Sequence, residues 1–340
     1  MNEVTKYKTG GGTRNSNLEL YRIIVMLLIV AHHYVVNSGV LGAMYNDPLC
    51  ANSIFLFLFG MWGKIGINCF VLITGYFMCK RNITVRKYLK LVLEVEFYNI
   101  MIYAIFLFSG YESISLSGIA QAILPITSIS TNFAGCFLVF YLCIPFLNIL
   151  VRNMSEKKHL SLLGLIFFTY VFMGTVPKFS VTMNYVSWFT CLYLLASYIR
   201  LYPKEIFDKT KLWGVFTVAL GVLCIASVLC CVWLGTRIDK RMAYYFVSDS
   251  NTFLAVCFGI SSFVFFKNLK IKQSRVINTI ASSTFGVLMI HANSDTMRRW
   301  LWQTVLNVKG AFSLDTPMLI IHAFLSVLGI LFVLSCQYPK

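Results

Sequence analysis

Ten stretches of roughly twenty mostly apolar residues recur along this 340-residue chain, and they leave few folds open. They fall at about 18–37, 62–79, 89–109, 134–151, 159–176, 185–202, 212–234, 251–267, 276–292 and 316–336. A segment of that length crosses a bilayer as a helix, because hydrocarbon offers no water to satisfy an open strand edge. Hydrophobic residues make up 58% of the chain and charged residues only 12%, against about 25% charged in soluble domains. The expected fold is therefore all-α: a polytopic membrane protein of about ten transmembrane helices. Residues 1–17 would form a short cytoplasmic segment and 18–340 a single membrane-embedded domain. Two stretches fit less neatly. Residues 53–61 lie too close to the second span to cross alone, and would extend it or lie in the interface. Residues 114–129, interrupted by Pro125, look re-entrant or interfacial.

The lysine and arginine distribution gives the expected orientation. With an internal N-terminus, twenty of the 29 fall in or near internal loops. They include Lys6, Lys8, Arg14, the run Lys80–Lys90, and Lys340. Seven fall outside, Lys178, Arg298 and Arg299 among them. That bias places both termini in the cytoplasm. The net charge of +16 is thus spread over short loops facing an anionic leaflet rather than gathered into a nucleic-acid-binding unit. No cleavable signal peptide, internal repeat or soluble domain is expected. The eleven cysteines lie mostly within apolar segments without metal-ligand spacing, and read as small core residues.

Arg22 and His33 carry the sharpest chemistry. Eleven helical steps at ~100° come within ~20° of three full turns. The two side chains therefore share one stripe, about 16 Å apart along the axis. Ionisable groups at that depth mark pathways or active sites. An imidazole can take a proton from a hydroxyl, and a guanidinium suits a phosphate or carboxylate. Spacing alone leaves a packing histidine and a snorkelling arginine equally open. His32, ~100° round the helix, reads as structural. Glu19, three residues before Arg22, is a candidate partner for it. Glu94 and Glu96 point ~200° apart and are expected to pair structurally.

Three further segments stand out. Gly63–Met78 carries glycines that permit close helix approach, with Asn68, Thr74 and Tyr76 as its polar groups. Cys79–Lys90 holds Arg81, Arg86, Lys87 and Lys90, which would grip an anion or simply obey the positive-inside bias. The ninth span ends at His291, with Asp295 and Arg298 just beyond it, toward the outer surface. His322 reads as a packing residue. Trp300 and Trp302 read as exposed interfacial anchors.

Taken together these residues resemble acyltransferase family 3, integral membrane enzymes that decorate bacterial surface glycans. Its hallmark, arginine, ten residues, then histidine, is matched by Arg22 and His33. Its phenylalanine-rich stretch ending Ser-Gly-Tyr is matched by Phe70 to Tyr76, with Thr74 for serine. Its basic segment is matched by Arg86, Lys87 and Lys90, lysine partly replacing arginine. Its late glycine–aliphatic–histidine signature is matched by Gly286 to His291. The resemblance runs from about residue 17 to the end.

The resemblance implies an acyltransferase of the bacterial cytoplasmic membrane. The donor would be cytoplasmic acyl-coenzyme A, most often acetyl-coenzyme A, and no metal is implied. The acceptor would be a hydroxyl of an extracytoplasmic carbohydrate of the cell envelope. Membrane lipid would be a further partner and nucleic acid would not; the oligomeric state is left open. His33 and Arg22 would form the catalytic pair, His33 as general base. Arg81, Arg86, Lys87 and Lys90 would hold coenzyme A, and His291, Asp295 and Arg298 would contact the acceptor. A transporter or flippase of a sugar or lipid-linked glycan, and a non-catalytic sensor, are the competing readings.

Overall fold

In the computed structural model, residues 14–124, 133–177, 179, 181 and 183–336 are described, and among them there is no β-strand. The chain runs α1 (Ser16–Val36), α2 (Leu41–Asn46), α3 (Ala51–Gly60), α4 (Gly63–Met78), α5 (Val85–Phe108) and α6 (Leu116–Ile123). Next come α7 (Phe133–Asn153), α8 (Glu156–Ile166) and the short α9 (Met173–Thr175), the last two joined by a π-helical stretch. After these follow α10 (Tyr185–Leu201), α11 (Thr210–Arg237), α12 (Phe253–Asn268) and α13 (Arg275–His291). The short α14 (Asp295–Arg298) and α15 (Val308–Ala311) flank a second π-helical stretch, and α16 (Thr316–Cys336) closes the fold. Lys6, Lys8, Pro125, Lys178 and Lys340, all used in the topological argument, lie outside the described residues.

Every expected span is helical, but seven helical stretches are long and apolar enough to cross a membrane by themselves. The segments expected at 185–202, 251–267 and 276–292 become α10, α12 and α13, of 17, 16 and 17 residues. The second span is longer than expected. Met61 and Trp62 keep near-helical backbone between α3 and α4, so residues 51–78 make one stretch of 28 residues. Residues 53–61 thus extend that helix. The expected re-entrant segment contributes α6, with a serine cap at Ser115. The ten described cysteines are free thiols.

Helix α1 is central: it packs against α3, α4, α12, α13 and α16. Its closest neighbour approaches through glycines. A Cβ on Gly63 would stand 2.1 Å from His32 Cγ, and one on Gly66 2.7 Å from Ile29 Cγ1. On another face of α4, a Cβ on Gly75 would meet Ala196 Cβ at 2.9 Å, which seats α10. Small residues allow this intimacy where no hydrophobic effect drives helices together. Helices α5, α11 and α16 turn large apolar side chains outward, among them Phe108, Val215, Val218 and Phe332. A soluble surface would not carry that belt. Lipid accounts for it.

Candidate active site

Four residues before Asn37, the C-terminal cap of α1, stands the first of the two rings that matter most, that of His33. His33 Nδ1 lies 2.9 Å from His291 Nε2, and His291 Nδ1 lies 2.5 Å from the carbonyl of Val287. With both imidazoles neutral, these contacts assign the two tautomers by elimination. A carbonyl only accepts, so His291 Nδ1 carries the proton and Nε2 keeps its lone pair. His33 Nδ1–H therefore donates to His291, which leaves Nε2 as the basic nitrogen of His33. His291 is fully buried and its ring meets Trp302 edge-on, at 6.3 Å and 90°. Beside this pair, Tyr34 and His322 Nδ1 share a hydrogen bond of 2.8 Å, tying α1 to α16. His322 is thus a packing residue, as expected.

His33 helps line a cavity of about 170 Å³. Its wall includes His32, Gly63, Lys64, Phe70, Phe133, Ala134, Tyr185, Asn293 and Arg298. These side chains come from the C-terminal end of α1, the N-terminal ends of α4, α7 and α10, and the region after α13. Antiparallel packing brings those ends together, at the end of the bundle away from the α1 N-terminus. His32 joins the wall. Its Nδ1 is held 2.6 Å from the Gly60 carbonyl, so it is structurally tethered, as expected, and also faces the cavity. Arg298 is set by a 2.8 Å ion pair with Asp295 and by the Ala292 carbonyl at 3.2 Å. Asp295 itself is 83% exposed at its side chain and is not part of this wall.

A second cavity opens at the opposite, near end. Arg14, Glu19, Arg22, Thr74, Phe77, Arg81, Phe137 and Tyr141 line it. Arg22 pairs with Glu19 at 3.0 Å, the partner expected from the i,i+3 spacing. Its guanidinium also lies 5.9 Å from the Phe70 ring. Phe70 belongs to the far cavity and Phe137 to the near one, and Phe133 stacks on Phe137 at 5.8 Å. Phe70 and Phe133 also meet edge-on, at 6.3 Å. A thin aromatic partition thus stands between the two cavities, with Arg22 on one side and His33 on the other.

The remaining candidates fall as follows. Arg81 is at the near cavity. Arg86, Lys87 and Lys90 are exposed on the first turns of α5 and do not line it. Asn68 is buried and spoken for, donating to Ser250 and accepting from Trp188, and Tyr76 accepts from Arg200 at 2.7 Å. Neither lines a cavity with His33. Trp302, expected at the surface, is completely buried against Tyr34 and His291. Glu96 Oε2 is buried without a hydrogen-bond partner among the described residues, so the expected pairing fails at that atom. No described cysteine lines either cavity. Lys64, Tyr185, Asn293 and Arg14 enter the two sites without a strong signal in the sequence. For Lys64 the signal was its place beside two glycines at a span margin.

The sequence model of an acyltransferase domain matches residues 15–336, nearly the whole chain. No curated protein and no solved structure gives a significant match.

Proposed function

The chain belongs to the acyltransferase family of that domain, and we propose that it carries an acyl group across a membrane to a hydroxyl. The donor is a cytoplasmic acyl-coenzyme A, acetyl first, and the acceptor a carbohydrate of the cell envelope. Seven helices span by length, and this reading counts α10, α12 and α13 as three further crossings, with both termini in the cytoplasm. The near cavity then faces the cytoplasm and the far cavity the outside of the cell membrane.

One observation carries the reading: the chain of hydrogen bonds from Val287 through His291 to His33. In the neutral His33 imidazole it leaves Nε2 as the basic nitrogen, in a ring that lines the far cavity. An acceptor hydroxyl beside that nitrogen loses its proton as its oxygen attacks the thioester carbon. The carbon–sulfur bond then breaks, and the thiolate takes the proton back from His33. The transfer in this reading is direct, from the thioester carbon to the acceptor oxygen. His291 acts here by holding the His33 ring in one tautomer and orientation, as an orienting carboxylate does in a catalytic triad.

The near cavity supports the donor side. Arg14, Arg22 and Arg81 surround it, and guanidinium groups bind phosphates bidentately. Arg86, Lys87 and Lys90 add positive field at its rim. About 16 Å of helix axis separates Arg22 from His33, on the scale of an extended pantetheine arm. That arm would thread the partition of Phe70, Phe133 and Phe137. Arg298 and Asn293 offer the acceptor polar contacts on the far side. The deciding experiment offers purified protein labelled acetyl-coenzyme A and a mixed envelope-glycan extract. Label should reach glycan with wild type and not with His33→Ala. Equal transfer by both would remove His33 from the chemistry, and no transfer with no coenzyme A binding would remove the donor.

A further inference from the structure

The far cavity contains a pairing that a general base alone does not require. Lys64 Nζ stands 2.5 Å from the Tyr185 hydroxyl, and both line the wall with His33. An ammonium group has donors only, so the Tyr185 oxygen accepts and its own O–H is directed away from Lys64. Among the described residues nothing takes that proton. The donor is well fixed. Tyr185 is the first residue of α10, held within the capping box that Asn184 and Ser187 form, and its ring stacks on Phe189 at 5.6 Å and 25°. Lys64 is held as firmly, with its Nζ 5.3 Å from the Tyr185 ring centre and 3.9 Å from Asp249. A lysine serving only as an interfacial anchor would send its charge to water.

We propose that Tyr185 is a catalytic residue that hydrogen-bonds the thioester carbonyl oxygen as charge builds on it, with Lys64 as the positioning residue that polarises the hydroxyl. This rests on the acyl-transfer reading above. As the acceptor oxygen bonds to the carbonyl carbon and its proton passes to His33 Nε2, the carbonyl π pair moves onto oxygen. That oxyanion receives the Tyr185 O–H. Its collapse re-forms the carbonyl and expels the thiolate, which takes the proton from His33. Base and oxyanion donor thus come from α1 and α10, with the acyl carbon between them. A preformed donor in a site shut off from water contributes far more than the same bond in solution.

Two conservative variants test it, assayed with acetyl- and chloroacetyl-coenzyme A in the purified full-length protein. Tyr185→Phe keeps the ring and its stacking, and Lys64→Met keeps the aliphatic stem. Tyr185→Phe should lower kcat about 100-fold with the KM for acetyl-coenzyme A within twofold. Lys64→Met should lower kcat less, and the double variant should be no slower than Tyr185→Phe alone. Chloroacetyl-coenzyme A, whose oxyanion the halogen already stabilises, should narrow the gap between wild type and Tyr185→Phe. A merely structural role would slow both donors equally, and additive losses in the double variant would say the same. Either result, or a wild-type kcat in Tyr185→Phe, overturns the proposal. If wild type itself transfers no more than His33→Ala, the underlying reading fails first and the proposal with it.

Discussion

His33 and His291, 258 residues apart in sequence, meet ring to ring at 2.9 Å, and the Val287 carbonyl behind them fixes where each proton sits. Two consequences separate the partners. His33→Gln removes the base but keeps an amide of similar reach, so acetyl transfer should fall by about 10²–10⁴ while coenzyme A binding is retained. His32→Asn, which loses only the neighbouring ring, should cost far less. Initial rates alongside calorimetric binding of coenzyme A would check both, and the order reversed would make His32 the base.

His291 acts through His33 and should show it. His291→Leu leaves the His33 Nδ1–H without an acceptor and frees the ring to flip, whereas His291→Gln can still offer an oxygen. We expect a drop in kcat of about 100-fold or more for the leucine variant, by analogy with loss of an orienting partner in a triad. The glutamine variant should recover much of it, at unchanged KM for donor. Equal activity in the two variants would mean that the hydrogen bond has no part in catalysis.

Gly63 should not tolerate a side chain. Its added Cβ would fall 2.1–2.4 Å from His32 Cβ, Cγ and Cδ2, none of which is the free end of a flexible chain. Gly63→Ala should therefore cost about 1–3 kcal/mol and lower the thermal midpoint in detergent. Gly164→Ala, on α8 with nothing within 4 Å of the new methyl, is the matched control and should unfold at or above the wild-type temperature. Equal midpoints for Gly63→Ala and wild type would show that α1 and α4 can part without penalty.

On the donor side, position separates the arginines and lysines. Arg81 lines the near cavity, and Lys90 does not. Arg81→Ala should raise the KM for acetyl-coenzyme A about tenfold, the loss of one charge-assisted contact. Lys90→Ala should raise it no more than twofold. Steady-state kinetics at fixed ionic strength would decide, and the opposite ranking would move the phosphates out onto the first turn of α5.

How much of this was legible in the sequence follows from range. Contacts within one helix could be read: Arg22 with Glu19 by the i,i+3 rule, and Arg22 with His33 on one stripe of α1. So could the close glycine packing of α4, though not its object, the ring of His32. The extents of α10, α12 and α13 were legible to within two residues, but the pattern of apolar residues left open whether Met61 and Trp62 continue a helix. The site itself depends on antiparallel helices that bring residue 33 to 291 and residue 64 to 185. No local periodicity encodes that. Trp302 shows the converse, since an aromatic at a span margin reads as a surface anchor until the helix behind it is known to be α1.

The aromatic partition has a thermodynamic corollary. With Arg22 on one side of Phe70, Phe133 and Phe137 and His33 on the other, the proposed transfer would take the acyl group out of the cytoplasm while the proton it displaces ends on the coenzyme thiol inside. An acylium equivalent goes out and a proton comes in, so the exchange is electroneutral. The membrane potential neither drives nor opposes it. On the proposed reading the thioester alone supplies the driving force, and vesicles with and without an electrical gradient should reach the same final extent of acetylation.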